Sequence, residues 1–567
     1  MDMLRPLAAG FLLGILVVGG AGFARAANSA GVLTPADPRQ TARLRAAERA
    51  VLTAKERILI ERPDRQRPEQ PVSIPIFGRP LSLGARYTLL TRFEDSKLLD
   101  FDFDDFDDRD LDGDGDTEEI EDAARGQSPT DDRLRVNQAL QVDLFFPVTD
   151  QWAVYLESGF VYRSVAWSEN FGTESETIFA RGEMWLYAGN LLGSPLSLQI
   201  GRQAFFDDRE WWWDEDLDAI RLRLDFERFH AEVAVAQEVL PIEYGDSSID
   251  PERKDVLQLL GTAEWEWANR HRLGAYLLYR NDYSSGQAVI PPGEPDPILP
   301  CVPENEIPAN LPLEAREFFR AGCPDPIPPV RFEDESDPRL IWFGLSANGR
   351  IRLGGPGRLY YWLDVAGVSG KDTFTDYSGP RGSQIVASRE TVDVLGAGLD
   401  VGLIWETRLP GRPSLSLGYA FGSGHAGDTE ERDRGFRQTG LQGNSDRLRG
   451  VVSFGYYGEQ LDPELSNIHI LTAGVGIGFF ERSSVDLVYH HYRQDRAAPF
   501  LRDAGVKRDP LGIHKPIGDE IDLIVGWEDL EPLELKLIAS AFRAGKAFGP
   551  SSGDWSYLLA ARFRLNF

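Results

Sequence analysis

The sequence predicts an all-β protein: an 18-stranded antiparallel transmembrane β-barrel with long extracellular loops and a short N-terminal helical segment. Three observations carry this expectation. The chain opens on an export signal, yet no later run approaches the about 20 apolar residues a spanning helix needs. Beyond residue 80 the dominant period is two, in segments of about ten residues with aromatic ends, as a strand between lipid and lumen requires. Counted between short turns and long loops, the strands come to an even number, which a single-chain barrel demands.

Residues 1–26 form the signal peptide, with Arg5, an apolar run over 7–18 and the cleavage pattern Ala24-Arg25-Ala26. Residues 27–78 differ from the rest. They are rich in Ala, Arg and Glu, Asp37-Pro38 marks a start, and Pro63 marks a stop. One helix of about 20 residues and a Pro-rich linker are expected, either simply exposed or docking a periplasmic export partner. Residues 79–567 form the barrel. A formal net charge of −30 weighs against nucleic acid as a partner and against a polybasic membrane-surface protein.

The last strand shows the pattern most cleanly. In WSYLLAARFRLNF, Trp555, Tyr557, Leu559, Ala561, Phe563, Leu565 and Phe567 share one face, and Ser556, Arg562, Arg564 and Asn566 share the other. In lipid every backbone group must pair internally, and only closure removes the sheet edges. Strands are placed near 81–95, 133–147, 151–165, 177–190, 195–206, 216–227, 229–238, 255–267 and 270–282. The second half continues near 338–350, 357–368, 390–407, 412–423, 467–480, 484–494, 518–528, 532–544 and 554–567. Orientation is consistent only if 424–466 is a single extracellular connection. The strand-like stretch 447–457 would break parity. It is assigned to a folded extracellular insertion, or to a hairpin extended above the membrane.

Positions alternating with the apolar ones face the lumen. They include Arg163, Arg181, Arg221, Arg223, Arg272, Arg280, Arg358, Lys536, Arg562 and Arg564, with Glu157, Glu183, Glu232, Glu264, Asp364, Asp522 and Glu534 on the same face. Arginine inside an otherwise acidic chain would concentrate an anionic solute, because its planar fork binds carboxylates and stays charged. Cross-strand Arg–Glu bracing is the alternative. Arg202 tests the register. Strict alternation after Leu198 and Ile200 would aim it at lipid, so a bulge at Gly201 is expected to turn it inward.

Asp110, Asp112, Asp114 and Glu121 match a calcium-loop spacing, without evident flanking helices. A Ca²⁺ site there stands against a solvated acidic loop under the lipopolysaccharide layer, and no other cofactor is expected. Cys301 and Cys323 lie in one Pro-rich stretch and read as a disulfide in an oxidising compartment. GSGHAG (422–427) has no helix after it and reads as a turn. Seven histidines are present: His230, His271, His425, His469, His490, His491 and His514. Asp486 and His490 could share a face with His230, but no serine sits in a nucleophile context, so no enzyme is expected.

Three stretches, GRQAFFDDREWWWDEDLDAIRL (201–222), FRQTGLQGNSDR (436–447) with PELSNI (463–468), and GDEIDLIVGW (518–527), resemble the alginate export family of outer-membrane proteins. The likeness runs from about residue 80 to the C-terminus. It implies an 18-stranded barrel exporting an anionic exopolysaccharide through an Arg-rich constriction with gating loops. On that resemblance Arg202, Arg221 and Arg223 are lumen residues. Asp207, Asp208, Arg209, Trp211, Trp213, Asp214 and Asp218 are then the structured loop mouth. Strand register points Trp211 and Trp213 inward and Trp212 outward into the interfacial girdle.

The expected partners are outer-membrane lipid and lipopolysaccharide, and an anionic polysaccharide, for a monomeric channel. An uptake porin for small anions is the alternative function, and an outer-membrane hydrolase a third.

Overall fold

The computed structural model describes residues 72–95, 132–168, 173, 175–244, 249, 253–284, 288–289, 331–332, 336–355, 357–378, 385–425, 432–505, 509–530 and 532–566. The signal peptide, the N-terminal helix, the calcium-like loop and both cysteines lie outside them.

Eighteen strands make the barrel. They are β1 (Arg79–Glu94), β2 (Arg133–Pro147), β3 (Trp152–Ser168), β4 (Ser175–Ala188), β5 (Leu196–Phe206) and β6 (Asp214–Asp225). Next come β7 (Phe229–Ala236), β8 (Val256–Ala268), β9 (His271–Asp282), β10 (Ser336–Arg352), β11 (Arg358–Ser378) and β12 (Ile385–Glu406). The last six are β13 (Ser414–Gly422), β14 (Ile468–Phe479), β15 (Ser483–Gln494), β16 (Pro516–Leu530), β17 (Leu533–Ala544) and β18 (Trp555–Asn566). Each pairs antiparallel with the next. β18 closes on β1 from Arg86↔Asn566 to Glu94↔Leu558. Within the residues assigned to the linker, Val72–Ile76 pairs with the start of β1 and occupies the edge that β18 leaves free there.

Alternation sorts the two faces as lipid and lumen require. On β18, Trp555, Tyr557 and Leu559 are exposed while Ser556, Leu558 and Ala560 are buried. On β10, Ile341, Phe343 and Leu345 face out while Leu340 and Trp342 face in. Backbone pairing around the full circle leaves no spanning edge, and the long connections take the extracellular side.

Two elements leave the wall and fill the lumen. The first is the tip of the β5–β6 hairpin. β4 pairs with β5 only from Met184↔Arg202 to Ala188↔Leu198, and β6 meets β7 only from Ala219↔Ala236 downward. Above those points the hairpin turns inward, and Arg202, Gln203, Ala204 and Phe205 are all buried. Gly201 is the hinge, at φ 122°, and a Cβ there would run into the Met184 carbonyl. The bulge expected at Gly201 is therefore a kink with unbroken register. The bulge sits instead on β4, where pairing with β3 shifts between Leu156 and Ser158.

A strap after β7 covers the opening so created. Arg181 N–H donates to Ile242 O (2.9 Å) and Tyr244 N–H to Phe179 O (2.7 Å). Tyr244 stacks on Phe179 at 4.4 Å on the lipid side.

The second inward element is the β13–β14 connection. Of the two expectations for 447–457, the hairpin extended above the membrane is not found, and the folded insertion lies inside the lumen rather than outside the barrel. Leu448, Val452, Phe454, Tyr456 and Tyr457 are buried in the lumen. Val451 N–H reaches Ser484 Oγ (2.9 Å), beside the short turn between β14 and β15. An apolar stretch on a polar-flanked loop is driven out of water, and the lumen is the nearest dry surface. One carboxylate anchors it: Glu520 of β16 accepts the N–H groups of Glu459, Gln460 and Leu461 at 2.7, 2.8 and 3.1 Å.

Candidate functional site

The site is the occluded lumen, built where the hairpin tip meets this plug. Within loop 207–213, Asp207 accepts the N–H groups of Arg209 (3.3 Å), Trp212 (2.9 Å) and Trp213 (3.2 Å), which fixes the turn. Burial pushes its carboxyl pKa up, against the pull of those three bonds. Trp211, Trp212 and Trp213 are 2%, 1% and 1% exposed. Trp212 lies flat on Tyr276, with centroids 4.9 Å apart and planes at 6°. Its edge meets Gly344 of β10, where any Cβ would overlap the indole. Trp211 stacks on Phe436 of the plug and donates to Tyr457 Oη (2.8 Å).

Two expectations are thereby corrected. Trp212 does not face lipid, and Asp207, Asp208, Arg209, Trp211, Trp213, Asp214 and Asp218 lie inside the barrel rather than at an outer mouth. Once β5 and β6 leave the wall above Gly201, strand parity no longer separates inside from outside.

Arg209 joins the parts. Its guanidinium sits between the rings of Trp362 and Tyr456, 4.4 Å from each centroid. It reaches Asp400 (3.0 Å), Asp446 (3.5 Å) and Asp364 (3.6 Å), drawn from two wall strands and the plug. Burial opposes its charge, but Asp400 and its neighbours hold its pKa above the ordinary value. Burial also pushes Asp446 up to about 6, against Arg209. Backbone bonds complete the join: Gly443 and Asn444 N–H both donate to Glu210 O at 3.0 Å, and Asp214 N–H donates to Leu441 O.

Below this roof a cavity of about 670 Å³ occupies the short-turn half of the lumen. Eight arginines line it, with Tyr276, Tyr360, Tyr361, Trp213 and Trp362. Arg223 pairs with Glu232 (3.1 Å), and Arg272 with Asp208 and with Glu264 (3.7 Å). Arg221 lies over the Phe205 ring and donates to Ala204 O (2.7 Å). Arg270 and Arg350 line the same cavity with no carboxylate at ion-pair distance among the described residues, and Arg447 beside them is partly balanced by Asp446 and Glu528.

The remaining named arginines lie outside that lining. Arg181 forks onto Asp218 at 2.6 and 2.8 Å and donates to Pro241 O (2.8 Å) and Leu240 O, locking the strap to the hairpin. Arg202 is buried 3.7 Å from Glu238. Arg280 faces the plug at Gly440, and Arg163 stands opposite Glu176. Arg358 is at the short-turn rim near Glu406 (3.8 Å). Arg564 pairs with Glu534 (3.6 Å), with buried Arg562 two residues before it.

Sequence reasoning missed Arg270, Arg350, Arg447 and Arg449, one in a turn, one near a strand end and two in the plug's strand-like stretch. The run Tyr360-Tyr361-Trp362 was the available signal for the aromatic wall. The histidines are dispersed: His490 contacts Thr472 (3.0 Å) and Asp522 (3.4 Å), His230 contacts Asp225 (2.8 Å), and Asp486 contacts Ser484 (3.2 Å).

The family model described as alginate export matches residues 176–557, which include the hairpin, the strap, the plug and the cavity walls. The chain belongs to the alginate export family. It is 26% identical to the alginate production protein AlgE of Pseudomonas aeruginosa, over 68% of this chain and 74% of that one. Against the AlgE of Pseudomonas syringae pv. tomato it is 22% identical, over 62% and 66%. Among solved structures, OccAB1 of Acinetobacter baumannii superimposes with a TM-score of 0.45 at 8% identity, covering 86% of this chain and 96% of that one. Membership of the family places the barrel in the outer membrane of a Gram-negative bacterium.

Proposed function

We propose that the protein exports an alginate-like polyuronate across the outer membrane, entering from the periplasmic end of the lumen. One observation supports this reading above the others. In the short-turn cavity, Arg270 and Arg350 carry positive charge outside any close ion pair among the described residues, with the partly balanced Arg447 near them, beside Tyr360, Tyr361 and Trp362. Guanidinium forks suit carboxylates, and aromatic faces suit the apolar faces of sugar rings. The paired arginines, Arg223 and Arg272, brace the wall while Arg270 and Arg350 remain for solute. The matched family is one of alginate export, which supports reading the protein as a conduit.

The test is ion selectivity in planar bilayers. Replacing Arg270, Arg350 and Arg447 together by Glu is expected to turn an anion-preferring channel into a cation-preferring one. It is also expected to abolish block by polyuronate added from the periplasmic side. Unchanged selectivity and unchanged block would remove the electrostatic basis of the proposal.

A further inference from the structure

On the outer face of the barrel, four neighbouring strands carry one continuous row of polar side chains. Register places Asn281 of β9 opposite Arg339 of β10, Arg339 opposite Lys371 of β11, and Lys371 opposite Asp393 of β12. One dyad closer to the short turns, the same face turns mostly apolar, as Tyr279, Ile341 (40% exposed) and Leu395 (50% exposed) flank Ser369. On β10 the apolar face then runs through Phe343, Leu345 and Ile351 to Leu353. At about 3.3 Å per residue and a tilt of about 40°, that run spans roughly the 25–30 Å of the apolar belt. The row therefore stands at the headgroup level of the outer leaflet.

Two cations in it face each other directly. Like charges directly opposite destabilise a sheet, so the pair asks for an anion. Arg339 Nε donates to Asn281 Oδ1 (2.8 Å), which orients the guanidinium. Its remaining nitrogens meet no carboxylate within ion-pair distance among the described residues. Lys371 lies 3.6 Å from Asp393, both side chains largely exposed at 67% and 50%. Asp337, one dyad above, is engaged by the Ser284 hydroxyl (3.3 Å). Across the barrel the equivalent row is internally balanced. Asp519 of β16 sits between His491 of β15 and Arg543 of β17, and bonds His491 at 2.8 Å.

We propose that Arg339 and Lys371 bind a phosphate group of the outer-leaflet glycolipid, the phosphorylated glucosamine headgroup of lipopolysaccharide. The Arg fork and the Lys ammonium grip a phosphomonoester from two strands. Ile341, Phe343 and Leu395 below them receive the acyl chains. The occupant is a lipid phosphate because the apolar belt begins directly beneath the pair.

The experiment uses full-length protein folded in detergent and titrated with bis-phosphorylated lipid A, with native mass spectrometry and the thermal unfolding midpoint as readouts. Wild type is expected to bind saturably and to unfold at a higher temperature when loaded. The double variant R339E/K371E is expected to lose affinity by at least about tenfold, while retaining the heat-modifiable gel shift of a closed barrel. Arg543→Glu, in the balanced row, is expected to bind as wild type does. Lipid A stripped of its phosphates is expected to bind neither protein at this site. Equal binding by wild type and R339E/K371E, or by phosphorylated and dephosphorylated lipid, overturns the proposal. So does equal stabilisation by inorganic phosphate alone, which would make the pair a free-anion site.

Discussion

At the scale of single residues, Arg209 carries the largest consequence. It is buried, held between two rings, and surrounded by Asp400, Asp446 and Asp364. Removing one partner of such a buried group leaves the others uncompensated, at a cost of about 3–5 kcal/mol. Arg209→Ala is expected to loosen the join between hairpin and plug, and single-channel recordings should show larger and noisier conductance. Arg209→Lys keeps the charge but loses the planar stack, so its conductance should lie between the two. Gly201 is the second such position. Its φ of 122° and the nearby Met184 carbonyl leave no room for a side chain. Gly201→Ala should lower the unfolding midpoint of the barrel, by strain of about 1–2 kcal/mol, and tryptophan fluorescence should report partial exposure of the 211–213 cluster. An unchanged midpoint and spectrum would mean that the hinge lies elsewhere. The sequence made both residues noticeable, one within the loop mouth that the family resemblance implies and one before an otherwise misplaced Arg202. The partners of Arg209, far along the chain at Trp362, Asp364, Asp400, Asp446 and Tyr456, were not legible, nor was the close approach of Gly201 to Met184.

At the scale of elements, the plug holds two carboxyls whose burial shifts them. Asp446 is pushed up to about 6, and Glu464, which accepts Gln438 N–H at 2.5 Å, is pushed up to about 7. Both values lie above those of a solvated carboxyl, so the docked plug takes up protons. Docking is then strongest near pH 4 and weakens as pH rises through about 6 to 7, where the docked carboxyls must ionise. Open probability in planar bilayers is expected to rise between pH 5 and 8. The double variant Asp446→Asn, Glu464→Gln is expected to flatten that rise. A slope of opposite sign would show that other groups govern docking. The plug was anticipated as an insertion because its strand-like stretch broke parity. Its direction was not, since periodicity reports an apolar face and not the surface that will cover it.

At the scale of the whole molecule, the wall and its contents are separable. The barrel strands pair with one another around the circle, while residues 434–466 bond to inward-facing side chains, the hairpin tip, Ser423 after β13 and the β15–β16 loop at Asp503 and Gly505. Replacing that segment by a short Gly/Ser linker is expected to leave a heat-modifiable, closed barrel with several-fold greater conductance. A barrel that no longer folds would show the plug to be part of the folding core. The hairpin cannot be released in the same way. Both of its strands are anchored in the wall, and Arg181 ties Asp218 to the strap.

The barrel, its eighteen strands, their order and the short-turn end are written in the order of residues, because lipid on one side and polar lumen on the other impose a two-residue period that survives local variation. The sequence also marked the hairpin and the plug as unusual and pointed to their family. Long-range packing settles that GRQAFFDDREWWW turns into the lumen, that all three tryptophans are buried there, and which arginines lack a close ion pair. Those outcomes depend on contacts between segments far apart in the chain. Once a strand leaves the wall, alternation carries no information about where its side chains go.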